Sequence, residues 1–251
     1  MSHAILLAGA GFLAGAMNAI AGGGSFVTLP ALVLVGLPSV AANASSTVAL
    51  FPASLASGWA YRRDLSSIGA VSLRAMLPVS LIGGTLGAVL LLATPSALFD
   101  EIIPWLLLLA TLAFAFGQRA GLALRRLFRI GPVPLLFAQF LLAIYGGYFG
   151  GAVGIMMMAT WSLLSTVDVK AMNPAKTVLV AAANSVAVLC FIAAREVWWK
   201  ETMVTLIAAA VGGYAGARLA RRMDPQWLRR GVLLLTVAMT VAFFLRAWRS
   251  P

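Results

Sequence analysis

Long apolar stretches alternate along this chain with short polar or charged ones. Six of the apolar stretches are long enough to predict membrane-spanning helices, because a span needs about 20 mostly apolar residues. They cover residues 40–60, 69–93, 100–118, 174–194, 201–220 and 228–248. Two more stretches, 4–37 and 132–165, are apolar but interrupted by glycine clusters. The pattern predicts an all-α polytopic membrane protein.

This pattern occurs twice. The run Asn43-Ala44-Ser45-Ser46-Thr47 recurs 130 residues later as Asn173-Pro174-Ala175-Lys176-Thr177, and Gly24 has its counterpart in Gly154. A Gly-Gly-x-x-Gly-Ala sequence begins both at Gly83 and at Gly212 and is typical of close helix packing. We therefore predict two homologous halves, 1–128 and 129–251. Each contains a glycine-broken helix or hairpin followed by three transmembrane helices.

Composition supports the membrane assignment and excludes several kinds of protein. Hydrophobic residues make up 62% of the chain and charged residues 10%, against about 25% charged in a soluble domain. The net charge of +11 comes from arginines between predicted spans, so it does not predict nucleic-acid binding. With one cysteine, one histidine and no P-loop sequence, the chain is expected to have no cofactor, no metal site and no catalytic residues.

Loop charges bear on topology. If each glycine-broken stretch crosses the membrane once, the arginine-rich loop 218–230 lies on the same side as the acidic loop 94–101. If each stretch is a hairpin that returns to its starting side, loops 61–74, 119–131 and 218–230 all lie inside. The second arrangement fits the positive-inside rule and favours inverted repeats.

The first candidate site is the triple glycine Gly22, Gly23 and Gly24 with the following Ser25. Consecutive glycines cost about 1 kcal/mol each in a helix, so they predict a break. The free N–H groups of the helix that follows would favour an anion. Around the counterparts Gly151 and Gly154 the sequence leaves a break and close helix packing equally open.

The repeated Asn-x-x-x-Thr sequence is the second candidate. Asn43 and Asn173 are each expected to cap a helix, with or without a ligand, and Pro174 then occupies a first helical position. Lys176 would lie in that first turn, where a cation is disfavoured unless an anion lies beside it. The alternative is a lysine that reaches for the interface. Hydroxyl ligands would come from Ser46, Thr47 and Thr177.

Three amides lie inside apolar stretches. Polar residues within membrane spans usually face the bundle interior, where they either join helices or bind a substrate. We include two of them, Asn18 and Asn184, among the candidate substrate-binding residues and leave the third, Gln139, as a weaker candidate.

These residues carry a family resemblance. Gly15-Ala-Met-Asn18-Ala-Ile-Ala-Gly22-Gly23-Gly24-Ser25, with Leu29-Pro30-Ala31-Leu32 and Ala42-Asn43-Ala44, resembles the first half of the sulfite exporter TauE/SafE family of permeases. The second half resembles that family at 147–154, Lys176, Asn184 and 212–219.

The resemblance implies a multi-pass permease of the bacterial inner membrane for sulfite, sulfonates or related small anions. Its partners would be that anion and the lipid bilayer, without nucleic acid, and a homo-oligomer is left open. Transport would follow from alternating access of the two halves. The alternatives are a permease for a different small solute and a membrane-embedded enzyme or assembly subunit.

Overall fold

Ten α-helices form the part of the chain that the structure, a computed structural model, describes. That part comprises residues 2–20, 23–61, 63, 67, 71–124, 131–162, 169–220 and 225–249. In chain order the helices are α1 (Ser2–Ile20), α2 (Ser25–Leu34), α3 (Ser39–Tyr61), α4 (Leu73–Ala93), α5 (Ser96–Leu124), α6 (Pro132–Tyr148), α7 (Val153–Ser162), α8 (Val169–Ala193), α9 (Trp199–Ala220) and α10 (Pro225–Arg249).

The predicted all-α membrane architecture is confirmed. Among the described residues, three helical segments are long and apolar enough to cross a membrane, against six spans predicted, namely Leu73–Ala93, Ser96–Gly117 and Met172–Ala193. Shorter apolar helices include α2, α6 and α7. Large apolar side chains such as Ile82, Trp105 and Ile207 are more than 60% exposed, as expected for helices whose outer surface meets lipid.

Both glycine-containing apolar stretches are broken. α1 ends at Ile20 and α2 begins at Ser25, and Gly23 between them has a φ of +90°. α6 and α7 are separated by 149–152, where Gly150 has a φ of +79°. The predicted first break is confirmed, and the question left open for the second half is decided in favour of a break.

The described chain forms two compact units, which we call unit 1 and unit 2. Unit 1 contains Met1–Ala53, Leu92–Thr111 and Phe191–Pro251; unit 2 contains Ser54–Leu91 and Leu112–Cys190. Each unit thus draws helices from both predicted repeats. The division of the sequence into halves at 128/129 stays a prediction, as does their inverted orientation.

Glycines bring two helices into close contact in each unit. In unit 1, a Cβ at Gly11 would lie 2.6 Å from the Thr205 carbonyl oxygen, and one at Gly216 would lie 2.5 Å from the Ala16 Cα. In unit 2, a Cβ at Gly83 would lie 2.8 Å from the Phe140 carbonyl oxygen. The α1–α9 and α4–α6 pairs therefore pack backbone against backbone, which confirms the packing role predicted for both Gly-x-x-x-Gly sequences.

Candidate functional site

The predicted site residues fall into two sets, one in each unit. Unit 1 holds Asn18, Gly23, Gly24, Ser25, Asn43, Ser46 and Thr47. Unit 2 holds Gly151, Gly154, Asn173, Lys176, Thr177 and Asn184. Gly22 lies outside the described residues. Substrate binding by these residues stays a prediction, and the two sets are described separately.

The first break lies directly before α2, whose first residues are buried or partly buried. Gly24 occupies the N-cap position, and no side-chain hydrogen bond caps the helix. The N–H groups of Phe26, Val27 and Thr28 donate to the carbonyls of Gly23 and Gly24 at 3.0–3.2 Å, so within the first turn only the Ser25 N–H has no partner in the helix. Asn18 lies near the end of α1 and is partly buried. The start of α2 therefore offers an anion little more than the Ser25 N–H.

A pair of buried hydroxyls joins α2 to α3 about one turn after this break. The Oγ1 of Thr28 lies 2.5 Å from the Oγ of Ser46, and both side chains are fully buried. Thr28 Oγ1 also donates to the Gly24 carbonyl at 3.3 Å. If Thr28 uses its proton for that bond, Ser46 donates to Thr28. Sequence reasoning missed Thr28, although it is the only hydroxyl residue inside the apolar α2 apart from the terminal Ser25.

We expect Thr28→Val and Ser46→Ala to destabilise the protein separately by about 1–2 kcal/mol, because each change leaves a buried hydroxyl without this partner. The double variant should lose less than the sum of the two, by about 1 kcal/mol. Thermal unfolding in detergent measures all three. Strict additivity would contradict an energetic link between α2 and α3 at this pair.

Asn43 and Asn173 do not cap helices, contrary to the prediction. α3 begins at Ser39 and α8 at Val169, so each asparagine lies inside its helix, and Pro174 also lies inside α8. In α3 the Ala42 N–H donates to the carbonyl of Pro38 at 2.8 Å, so the helix has begun before it reaches Asn43. Pro38, directly before α3, was the sequence signal for this earlier start.

The repeated threonines have the same local role in both units. Thr47 Oγ1 donates to the Asn43 carbonyl at 2.9 Å, and Thr177 Oγ1 donates to the Asn173 carbonyl at 2.8 Å. Hydroxyl-to-carbonyl bonds of this kind are common for threonine inside helices. The threonine proton is used within the helix, and the oxygen lone pairs stay available to a donor.

Lys176 lies beside the second break. A Cβ placed on Gly154, the second residue of α7, would be 2.9 Å from Lys176 Cδ, 3.3 Å from Cγ and 3.5 Å from Cε. The stem of Lys176 therefore runs along the first turn of α7, in space that only a glycine leaves free. The prediction that Lys176 occupies the first turn of its own helix is wrong, because α8 begins about two turns earlier.

This arrangement moves the predicted electrostatic conflict from α8 to α7. The start of a helix carries roughly half a positive charge, and a nearby ammonium raises the positive potential further. Among the residues that the structure describes, no carboxylate pairs with Lys176, and the side chain is only partly exposed. An anion at this place would interact favourably with both the ammonium and the free N–H groups of α7.

Two other predicted residues complete the set in unit 2. Gly151 lies in the break, and a Cβ there would come within 2.6 Å of the Phe149 ring. Asn184 lies on α8, two turns or so beyond Lys176. Its side-chain oxygen is buried and has no hydrogen-bond partner among the described residues. A buried acceptor without a donor is costly, and a donor group on a substrate would satisfy it.

Comparison with known proteins places the chain among membrane transporters. Three relatives are each called a probable membrane transporter protein. The one from Haemophilus influenzae is 29% identical over 92% of this chain and 90% of its own length. The Sinorhizobium ORF9 protein is 26% identical over 92% and 88%, and Escherichia coli K12 YfcA is 25% identical over 91% and 84%. No solved structure matches significantly.

These findings confirm the predicted assignment to a multi-pass bacterial membrane protein and indicate a transporter rather than an enzyme. The family model for the sulfite exporter TauE/SafE family matches residues 7–243, which includes both glycine breaks and both Asn-x-x-x-Thr sequences. The chain therefore belongs to the sulfite exporter TauE/SafE family.

Proposed function

We propose that this permease carries small sulfur-containing anions, such as sulfite or organosulfonates, by alternating access of its two repeat halves, and that it has no enzymatic activity. The observation that carries the proposal is the contact of Lys176 with Gly154 at the start of α7. A cation and a helix start beside each other make an anion site, and the family name supplies the sulfur chemistry.

The two halves differ at this position in a way that supports a single charged anchor. Ser46 is the counterpart of Lys176 at the 130-residue offset, and its hydroxyl is occupied by Thr28. A neutral, buried and hydrogen-bonded hydroxyl offers no charge to an anion, whereas Lys176 does. We therefore expect the negative charge of the substrate to lie beside α7 and not beside α2.

Uptake of radiolabelled sulfite into proteoliposomes tests the proposal directly. We expect saturable uptake that unlabelled sulfite and a short alkylsulfonate inhibit, and that an uncharged sulfone of similar size does not. Chloride and sulfate, at equal concentrations, measure selectivity for the sulfur oxyanion over other anions. Equal inhibition by the sulfone and the sulfonate would contradict an anion site and favour a permease for a different small solute.

A methyl group at Gly154 should disturb the site more than the fold. In Gly154→Ala the new Cβ would collide with the middle of the Lys176 stem, which is flexible and can move at small cost. We expect the dissociation constant for sulfite, measured by thermal shift against ligand concentration, to rise about tenfold. The midpoint of unfolding without ligand should change little.

Gly131→Ala is the matched control in the same unit. Gly131 is exposed just before α6, and a Cβ there meets no atom of the described residues within 4 Å. It should leave sulfite binding unchanged. If Gly154→Ala binds sulfite as tightly as the wild type does, then the position of the Lys176 stem is not important for the ligand.

A further inference from the structure

Gln139, in α6, is fully buried and binds side chains from two other helices of unit 2. Its Oε1 accepts a hydrogen bond from the indole Nε1 of Trp161 at 3.1 Å. Its Nε2 donates to Ser80 Oγ at 2.9 Å and lies 3.8 Å from Met157 Sδ. One amide therefore links α6 to α4 and to α7.

The hydrogen-bond network around Gln139 has one possible direction. The indole N–H of Trp161 can only donate, so it must face the amide oxygen. Ser80 donates its own proton to the Met76 carbonyl at 2.9 Å, so it must accept from the amide nitrogen. Ser80, Met157 and Trp161 are fully buried like Gln139, and every polar group in the network is used. Such networks fix one arrangement of the helices that they join.

α6 and α7 form a helical hairpin around the second break, and the network joins these two helices at the end away from that break. At the break, a Cβ on Gly146 would lie 3.2 Å from a Val153 methyl, so the two helices meet there. Gln139 lies two turns before Gly146 on α6, and Trp161 lies near the end of α7. The Gln139–Trp161 bond thus closes the hairpin at the end opposite the break. A helix as short as α7 has little stability of its own and depends on such contacts.

Unit 1 has no counterpart of this network among its described residues. At the 130-residue offset Gln139 corresponds to Gly9 and Trp161 to Ala31, and in the register that pairs Gly83 with Gly212 Ser80 corresponds to Ala209; none of these residues has a polar side chain. There the Thr28–Ser46 pair ties the half-helix α2 to α3 instead.

α7 cannot form the corresponding hydroxyl–hydroxyl hydrogen bond, because the counterpart of Ser46 is Lys176 and that of Thr28 is Met158. A half-helix held through position 176 would engage the ammonium that the proposed anion needs. α7 is instead hydrogen-bonded to Gln139 on α6, and this bond does not involve Lys176.

We propose that Gln139 is a positioning residue, which holds α7 on α6 so that Gly154 stays beside Lys176 while the lysine ammonium is left for the ligand. The proposal concerns the geometry of α7, and its effect on the ligand rests on the anion transport proposed above. Trp161, which sequence reasoning missed, is the partner that gives Gln139 this role. A tryptophan inside an apolar stretch needs a hydrogen-bond acceptor, and that requirement was the signal.

Three variants separate positioning from general stability: Gln139→Leu, Trp161→Phe and the two combined. Gln139→Leu leaves the buried indole N–H without an acceptor, so its unfolding midpoint should fall. The double variant removes both partners. Its unfolding midpoint should recover most of the fall seen in Gln139→Leu, since replacing both members of a buried pair is close to neutral. If the double variant is as unstable as Gln139→Leu, the lost bond is not the cause of the instability.

Hydrogen exchange measured by mass spectrometry tests the position of α7 without any ligand. Peptides from α7 should exchange at least about fivefold faster in Gln139→Leu and in the double variant, while peptides from α2 stay unchanged. Thr111→Val is a matched control, because it breaks a buried hydroxyl pair with Thr240 (3.0 Å) in unit 1. It should leave α7 exchange as in the wild type. Wild-type exchange of α7 in Gln139→Leu would overturn the proposal.

Sulfite affinity provides the functional readout. If Gln139 positions the site, the stable double variant should still bind sulfite about tenfold more weakly than the wild type. If the residue only stabilises the fold, the double variant will bind as the wild type does, and the proposal is wrong. A wild-type protein that binds no sulfur anion refutes the proposed function instead, and the exchange experiment then decides the position of α7 alone.

Discussion

Replacing Gly15 or Gly212 with leucine should prevent the protein from folding in the membrane. A Cβ on Gly15 would overlap the Ala209 carbonyl oxygen, and one on Gly212 would overlap the Phe12 carbonyl oxygen, so α1 and α9 would have to separate. Backbone atoms cannot rotate away as a side chain can. Overpacking a well-packed core already costs about 1–3 kcal/mol, and a backbone clash along this contact should cost several times more.

The measurement is the yield of monodisperse protein in mild detergent and its unfolding midpoint. We expect Gly15→Leu and Gly212→Leu to give little or no folded protein, and Gly15→Ala to unfold well below the wild type. Gly9→Ala is the matched control on α1, because a Cβ there meets nothing within 4 Å in the part of the chain that the structure describes. It should be neutral, or slightly stabilising through the higher helix propensity of alanine. Wild-type stability of Gly15→Leu would contradict the backbone contact between α1 and α9.

The sequence predicts where the helices lie better than which of them span a membrane, because α3 and α9 are not among the three described segments that are long and apolar enough to cross one. Stretches 40–60 and 201–220 correspond to α3 and α9 within two residues at either end. The sequence could not decide the second break, because glycines serve two purposes there. Gly150 takes the positive φ that the break needs, whereas a Cβ on Gly147 would overlap the backbone of Gly84. Only the fold separates these two uses.

The sequence predicted a lysine beside a helix start but assigned it to the wrong helix. A lysine near a helix start was expected, yet the helix is α7 and not α8, because the Lys176–Gly154 contact joins residues 22 positions apart. The Gln139–Trp161 bond has the same separation and was missed for the same reason. Local rules for caps and breaks act within about one turn and carry no information on which helices pack together.

Lys176→Met should abolish transport of sulfite while leaving the fold intact. Methionine has a similar unbranched stem and can occupy the space along Gly154, but it carries no charge. Removing one partner of a buried ion pair costs about 3–5 kcal/mol, so kcat/KM for sulfite uptake should fall by about two to four orders of magnitude. Without ligand, the unfolding midpoint should stay equal or rise, because a partly buried ammonium with no described counter-charge is removed.

Two companion variants make this result specific to position 176. Lys200→Met removes an exposed lysine at the start of α9 and should transport as the wild type does. Lys176→Arg keeps the charge but adds bulk where Gly154 leaves little space, so it should retain binding at lower affinity. Sulfite should raise the unfolding midpoint of the wild type and of Lys200→Met, and not that of Lys176→Met. If Lys176→Met transports sulfite at the wild-type rate, the negative charge of the substrate is held elsewhere, and α7 is not the anion-binding helix.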